Sequence, residues 1–278
     1  MKERITLTLD SEILLKVDDR IDKIKIKNRS HAVELLLVQS LGNHMPQTAL
    51  ILAGGPGTRM RPITHEIPKP LLPVHDRPVL EHNMDLFKKY GIKNIILAIG
   101  YKGEKIKEAF GNGKKFGVNI TYVEESKPMG TAGPLRLAKE FLAEPFYACN
   151  ADELKNIDLA DMYLFHKENK ATATIALTTV DDPSAYGVVR LKGNRIIEFV
   201  DKPKKEQAPS KLINSGLYII EPEVIKQIPE GFAMLEKDIF PKLARQGKLF
   251  GYPFSGQWFD TGTMERYEKA IKEWKDIV

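Results

Sequence analysis

The stretch Ala-Leu-Ile-Leu-Ala-Gly-Gly at residues 49–55 constrains this 278-residue chain more than any other. An apolar run of strand length ends on two glycines, and Pro56, Gly57, Thr58, Arg59, Arg61 and Lys69 follow. Glycines let a backbone turn sharply and approach a ligand closely. Free amides in such a turn form an anion-binding nest, and arginine or lysine beside it adds charge for phosphate oxygens. The fold that places such a break to use is the open α/β sheet, where ligands bind beyond the carboxyl ends of the strands.

The pattern after the break agrees with that fold. Helix spacing at 80–91, 103–111, 133–143 and 159–169 alternates with strand patterns at 94–100, 118–125 and 145–152. This alternation predicts a doubly wound, mostly parallel α/β sheet. Past residue 171 strand patterns dominate, at 172–180, 186–193, 195–201 and 212–220, with helices expected near 234–245 and 263–275.

Residues 1–43 differ in style and predict a separate small module, joined at 43–47 to a domain of residues 44–278. Ile5, Leu7 and Leu9 alternate with Arg4, Thr6 and Thr8, which is the period of a half-buried strand. Asp10 or Ser11 is placed to cap a helix with apolar positions Ile13, Leu14, Val17, Ile21 and Ile24. Ser30 is placed to cap a second helix, closed by Gly42. So short a region with one strand folds poorly alone, because the strand's edges are unpaired. The remedy is a second copy, strand against strand, giving a homodimer or higher homo-oligomer.

This module resembles the ribbon-helix-helix family in "ERITLTLD" and in "KNRSHAVELL" at the second helix. In that family paired strands enter the DNA major groove. The resemblance implies DNA as a partner, with Arg4, Thr6 and Thr8 facing outward. Eight basic against seven acidic residues through position 46 is a low balance for a DNA binder, so pure dimerisation is the competing expectation.

Composition narrows the function classes. The formal charge of +5 suits anionic ligands without requiring nucleic acid. Cys149 is the sole cysteine, which excludes a disulfide framework and a cysteine zinc site and leaves it as a packed small residue. His65, His75, His82 and His166 show no ligand spacing. The charged start of the chain does not match a signal peptide, and no apolar run approaches the roughly 18 residues of a membrane helix; a cytoplasmic protein away from membranes is expected.

Two glycine motifs are excluded at the break. There is no G-x-x-x-x-G-K-[ST], and Met60 occupies the last place of G-x-G-x-x-G. The longer text "GGPGTRMRPITHEIPKPLLPV" instead closely resembles the signature of the sugar-1-phosphate nucleotidylyltransferases, with apolar swaps at Met60 and Ile63. Further landmarks follow in that family's order: "KPMGTAGPL", "NADEL", "YGVV", "FVDKP", "INSGLY" and "WFDTGT".

The resemblance implies a Rossmann-like nucleotide-diphospho-sugar transferase fold. It implies that a sugar 1-phosphate attacks the α-phosphorus of a nucleoside triphosphate (NTP) and pyrophosphate leaves. Arg59, Lys69, Asp152, Lys202 and Asp260 are the implied catalytic set, with Asp152 and Asp260 holding Mg²⁺. Leu52, Ala53, Gly54, Gly55, Gly57, Thr58, Glu125 and Gly130 are implied to line the nucleotide site. Gly187, Asp201, Lys202 and Asn214 are implied at the sugar phosphate, Asp201 with a shorter arm than the glutamate usual there. The chemistry is coherent, because joining two polyanions needs cations to screen them and hold an in-line geometry. Mg²⁺ usually takes one or two carboxylates plus substrate phosphates. Asp260 has a competing reading as a helix cap with Thr261 or Thr263.

The tail, "LEKDIFPKLARQGKLFGYPFSGQWFDTGT", most resembles mannose-1-phosphate guanylyltransferases, implying GTP and mannose 1-phosphate. Glucose-1-phosphate thymidylyl- or uridylyltransferases and heptose-phosphate guanylyltransferases share many of these marks. A reading of another class is a DNA-binding regulator that senses nucleotide sugars.

Overall fold

The computed structural model describes residues 4–24, 26–41 and 45–277. The chain divides into two compact units, Met1–Met45 and Pro46–Val278.

In the first unit, helix α1 spans Ser11–Asp18 and helix α2 Arg29–Leu41. Asp10 caps α1, its side chain accepting from Glu12 N at 2.8 Å. The helix ends at Asp18, so Ile21 and Ile24 lie beyond it, and Ile24 is exposed. The cap expected at Ser30 falls instead on Asn28. Its carbonyl takes the first intrahelical bond from Ala32 N at 3.0 Å, and its side chain accepts from His31 N at 3.0 Å. An Asn two residues earlier reaches the same orphan amides first. Arg29 then pairs with Asp18 at 2.6 Å across the two helices. The expected closing glycine, Gly42, lies outside the described residues. Residues 4–10 carry no regular secondary structure, and Ile5, Leu7 and Leu9 are 66%, 52% and 37% exposed.

The second unit is a nine-stranded mixed sheet with helices between its strands. In chain order its elements are β1 Thr48–Ala53, β2 Pro73–Val74, β3 Arg77–Pro78, α3 Val79–Lys89, β4 Asn94–Ile99, α4 Gly103–Phe110, β5 Asn119–Glu124, α5 Gly133–Leu137, β6 Phe146–Asn150, β7 Glu153–Lys155, α6 Leu159–Glu168, β8 Ala173–Thr179, β9 Gly187–Lys192, β10 Arg195–Asp201, β11 Leu212–Ile220, α7 Phe240–Arg245, β12 Leu249–Pro253, β13 Trp258–Asp260 and α8 Met264–Glu273. The sheet order is β5-β4-β1-β6-β11-β8-β12-β10-β9.

Strands β5, β4, β1 and β6 pair in parallel, as the strand–helix alternation requires. The expectation of a mostly parallel sheet holds for that half alone. β11 runs antiparallel to both β6 and β8, and β10 runs antiparallel to β12 and β9; only β8 and β12 are parallel there. The physical reason is the change after residue 171, where β8, β9, β10 and β11 follow one another without α-helices between them.

β1 sits inside the sheet, between β4 and β6. Leu50 and Ile51 are wholly buried, worth roughly 1.5–3 kcal/mol each. That burial fixes where the strand ends and its glycines emerge. The larger core beyond it is built around Phe146, Tyr218 and Phe240. α7 is preceded by a wide π turn over Leu235–Ile239. Pro241 has no N–H to give the carbonyl four residues back, so the ladder widens there. Among the described residues no helix is long and apolar enough to cross a membrane.

Candidate active site

A cleft of about 490 Å³ opens at the carboxyl end of β1. Its glycine rim is held by local geometry. Gly57 has φ of +58° and starts a tight turn over Thr58–Met60. A Cβ on Gly57 would meet Thr64 Cγ2 at 2.9 Å, and Thr64 Oγ1 donates to the Gly57 carbonyl at 2.9 Å. Only glycine combines that dihedral with that contact. The turn carries Arg59 into the cleft wall beside Gly262, where a Cβ would stand 2.9 Å from the Arg59 guanidinium.

Lys69 is buried, and its ammonium donates to Asp152 Oδ2 in a short charge-assisted bond. Burial alone would raise the Asp152 carboxyl. Lys69 first, then Lys155 and Arg59, reverse this and hold it below the ordinary aspartate range.

Asp260 reaches Asp152 through a two-stranded ribbon. β13 pairs antiparallel with β7, setting Asp260 opposite Glu153. Thr261 locks the junction, its N–H and hydroxyl both donating to the Asp152 carbonyl, at 3.0 and 2.8 Å. The Asp260 carboxylate accepts from Gly262 N at 2.5 Å, Arg266 Nη1 at 2.7 Å and the Tyr186 hydroxyl at 3.2 Å. The cap of α8 is Thr263, which accepts from Arg266 N, so Asp260 is not the cap. Two carboxylates distant in sequence are thus neighbours.

Glu153 went unnoticed in the sequence. It is buried, lines the cleft, and its Oε2 has no hydrogen-bond partner. Oε1 accepts from Asn150 Nδ2 at 3.1 Å, and the buried Lys155 ammonium stands 3.7 Å from Oε2. Burial, with Asp152 and Asp260 adding, outweighs Lys155 and pushes Glu153 up to about 7. Gly216, with φ of +64°, leaves it room, since a Cβ there would meet Oε2 at 2.1 Å.

On the cleft wall, Lys202 holds a φ of +49°, unusual for lysine, with its N–H on the Tyr186 carbonyl at 2.9 Å. Gly187 and Asp201, opposite each other across β9 and β10, line the cleft beside it, and Lys237 lies 3.8 Å from the Asp201 carboxylate. Asn214 is there too, but its amide donates to the Tyr218 hydroxyl and its carbonyl accepts from Gly216 N, both at 2.9 Å. At another part of the rim, Gly54, Gly130 and Glu125 come together. Burial raises the Glu125 carboxyl, opposed by the Met129 N–H that it accepts at 2.8 Å. Gly130, with φ of +75°, lies against the Ala233 carbonyl, where a Cβ would stand at 2.3 Å.

Every residue that the nucleotidylyltransferase resemblance implied lines this one cleft: Leu52, Ala53, Gly54, Gly55, Gly57, Thr58, Arg59, Lys69, Glu125, Gly130, Asp152, Gly187, Asp201, Lys202, Asn214 and Asp260. Glu153, Tyr186 and Arg266 were missed. Tyr186 adjoins Gly187 in "YGVV", which is a usable signal; Glu153 and Arg266 have none beyond neighbouring an expected ligand. Cys149 is buried with its thiol pushed up to about 12 by burial, an inert packed group. His82 and His166 are buried and bonded, to Val74 O and Arg77 in one case and to Thr174 and Glu221 in the other.

Comparison with known proteins places this geometry. The chain is 42% identical over 220 residues to mannose-1-phosphate guanyltransferase beta-B of Xenopus laevis, covering 77% of this chain and 61% of that protein. It is 40% identical over 219 residues to mannose-1-phosphate guanyltransferase of Yarrowia lipolytica, covering 77% and 60%. The chain therefore spans about three-fifths of the length of these curated relatives. Among solved structures, HddC from Yersinia pseudotuberculosis complexed with GMP-PN superposes with a TM-score of 0.70 at 27% identity, covering 82% of this chain and 99% of that one. The nucleotidyl transferase family matches residues 48–276, the span that builds the sheet and the cleft, and the chain belongs to that family.

Proposed function

We propose that the chain transfers a nucleotidyl group from an NTP, GTP in preference, to a sugar 1-phosphate, with mannose 1-phosphate as the acceptor. The observation that carries this is the convergence of Arg59, Lys69, Asp152, Lys202 and Asp260, from distant segments, on one cleft. The names of the relatives support guanosine and mannose over the thymidylyl, uridylyl and heptose alternatives.

The glycine-loop amides and the Arg59 guanidinium bind the triphosphate and take up the charge that grows on the leaving pyrophosphate. The Lys202 ammonium holds the sugar phosphate, one oxygen of which attacks the α-phosphorus in line. The bond from that phosphorus to the β-phosphate bridging oxygen breaks, and no covalent enzyme intermediate forms. Lys69 keeps Asp152 ionised beside the reacting phosphates.

The donor set fits Mg²⁺. Asp260 ends β13 and Asp152 directly precedes its partner strand β7, and together they offer a hard-oxygen set of the kind Mg²⁺ uses with substrate phosphates and water. Among the described residues no group of three or more His, Cys, Asp or Glu could hold a metal without substrate. When bound, Mg²⁺ would neutralise charge on the triphosphate. Arg266 and Tyr186 orient Asp260 for this role.

The first unit is proposed to pair with a second copy through residues 4–10, covering Ile5, Leu7 and Leu9; the near-balanced charge favours a clamp over DNA binding. Sedimentation of a chain lacking residues 1–43 tests it: loss of the dimer supports the clamp, and an unchanged oligomer removes it. A cytoplasmic setting is part of the same reading.

The transferase reading is tested by pyrophosphate release over a grid of NTPs and sugar 1-phosphates with Mg²⁺. Turnover with GTP and mannose 1-phosphate is expected. A grid without turnover in any combination removes the reading.

A further inference from the structure

Three acids stand at the ribbon of β7 and β13. Asp152 directly precedes it, and Glu153 and Asp260 lie opposite each other on it. Glu153 shares the wall of the cleft with the other two. The three nevertheless do not converge, since among the described residues no group of three or more His, Cys, Asp or Glu could hold a metal. The Glu153 side chain is turned aside. Its Oε1 accepts from Asn150 Nδ2 at 3.1 Å. Its Oε2 is shut off from solvent in a slot that exists because Gly216 has no side chain. A Cβ on Gly216 would stand 2.1 Å from Oε2 and 2.6 Å from Asn150 Nδ2.

Lys155 closes that slot. It lies two places after Glu153 in β7, so both side chains leave the same face of the strand. Its ammonium is buried, stands 3.7 Å from Oε2 and is anchored on the Gly216 carbonyl at 3.3 Å. Lys69 and Arg266 hold Asp152 and Asp260 in the same way, but those acids are left facing the substrate space. The difference matters for a metal. Mg²⁺ works with one or two carboxylates and keeps its remaining positions for water and substrate phosphates. A third carboxylate beside Asp152 and Asp260 would capture a bare cation and fill positions that the triphosphate needs.

We propose that Lys155, with the slot left by Gly216, holds the Glu153 carboxylate out of the metal centre, so that Asp152 and Asp260 bind a cation only together with the triphosphate. Lys155 is a positioning residue that acts through Glu153. The proposal rests on the transferase reading above for the role of the aspartate pair and adds a control on when that pair is loaded.

The test is Mn²⁺ binding to the full chain without nucleotide at pH 8, read from the electron paramagnetic resonance of free Mn²⁺, an ion that shares the preference for carboxylate and water oxygens. Wild type is expected to bind weakly. Lys155→Met leaves a buried carboxylate without its partner, which drives it toward the cleft. That variant should bind Mn²⁺ about tenfold tighter or more, the scale on which groups beside a metal's ligands change its affinity. Gly216→Ala keeps every charge and expels the same oxygen. Tightening there separates a moved carboxylate from a mere loss of positive charge, and this variant carries the test where Lys155→Met fails to fold. Adding Glu153→Gln to either variant should return the affinity to the wild-type value. Wild-type affinity in either folded single variant overturns the proposal, as does tightening that survives Glu153→Gln, or a wild type that already binds as tightly as the variants. Pyrophosphate release with GTP and mannose 1-phosphate is followed in parallel. A wild type without turnover whose variants show these Mn²⁺ shifts removes the transferase reading and leaves the role of Lys155. Turnover with unmoved Mn²⁺ affinities removes the role of Lys155 alone.

Discussion

Glu153 gives a stability prediction with a definite sign. Replacing it by Gln removes a buried carboxyl whose proton affinity differs between folded and unfolded chain. The folded group is held at about 7 against an ordinary 4.5. Between those values the folded chain keeps a proton that the unfolded chain has released. Stability therefore falls as pH rises through that window, and it is fully present only below about 4.5. The difference of about 2.5 pH units corresponds to about 3.5 kcal/mol at roughly 1.4 kcal/mol per unit. For a folded unit of this size, that is about 7–14 °C in melting temperature. The assay is thermal unfolding of wild type and Glu153→Gln from pH 4 to pH 8.5, with EDTA present. The two melting curves should lie close together at pH 4 and separate as pH rises, the Gln variant being the more stable at pH 8. A separation that is constant across pH would refute a raised proton affinity for Glu153 in the folded chain. Mg²⁺ with nucleotide should shrink the separation, because added positive charge beside Asp152 and Asp260 favours the ionised form.

Three further outcomes follow from the cleft. Asp152→Asn removes the carboxylate partner of Lys69 and should lower turnover by about a hundredfold or more, as for loss of one charge-stabilising group, in a pyrophosphate-release assay. Lys202→Ala should raise the KM for the sugar 1-phosphate by about tenfold to hundredfold, equivalent to one charged hydrogen bond, with the KM for NTP unchanged. Gly57→Ala forces a side chain into the left-handed region against Thr64, which should cost about 1–2 kcal/mol in chemical denaturation and weaken NTP binding.

The parts of this molecule that were legible in its sequence are those set by local rules. The end of β1 showed in an apolar run meeting Gly54 and Gly55, and the strands flanking it showed in their alternation with helices. Charged residues in a recognisable order gave Arg59, Lys69, Asp152, Lys202 and Asp260. What stayed hidden depends on which segments meet. Nothing near Glu153 announces that β13, about a hundred residues later, will lie across it and bring Asp260 opposite. The same holds for Arg266, whose partner is set by the start of α8, and for β11, whose place between β6 and β8 follows from sheet packing. Ile21 and Ile24 kept helical spacing past the true end of α1 because spacing alone carries no stop signal.

The ribbon that joins β7 to β13 also orders events in time. Asp152 lies just after the parallel strands β1, β4, β5 and β6, whereas Asp260 arrives with one of the last strands of the chain. Closing so long a loop is entropically slow relative to local helix and strand contacts. During synthesis the parallel half of the sheet can assemble while its carboxylate partner is still unmade. The pair of acids comes together only once β13 has docked on β7. A chain broken before Trp258 keeps Asp152 and the glycine turn but lacks Asp260.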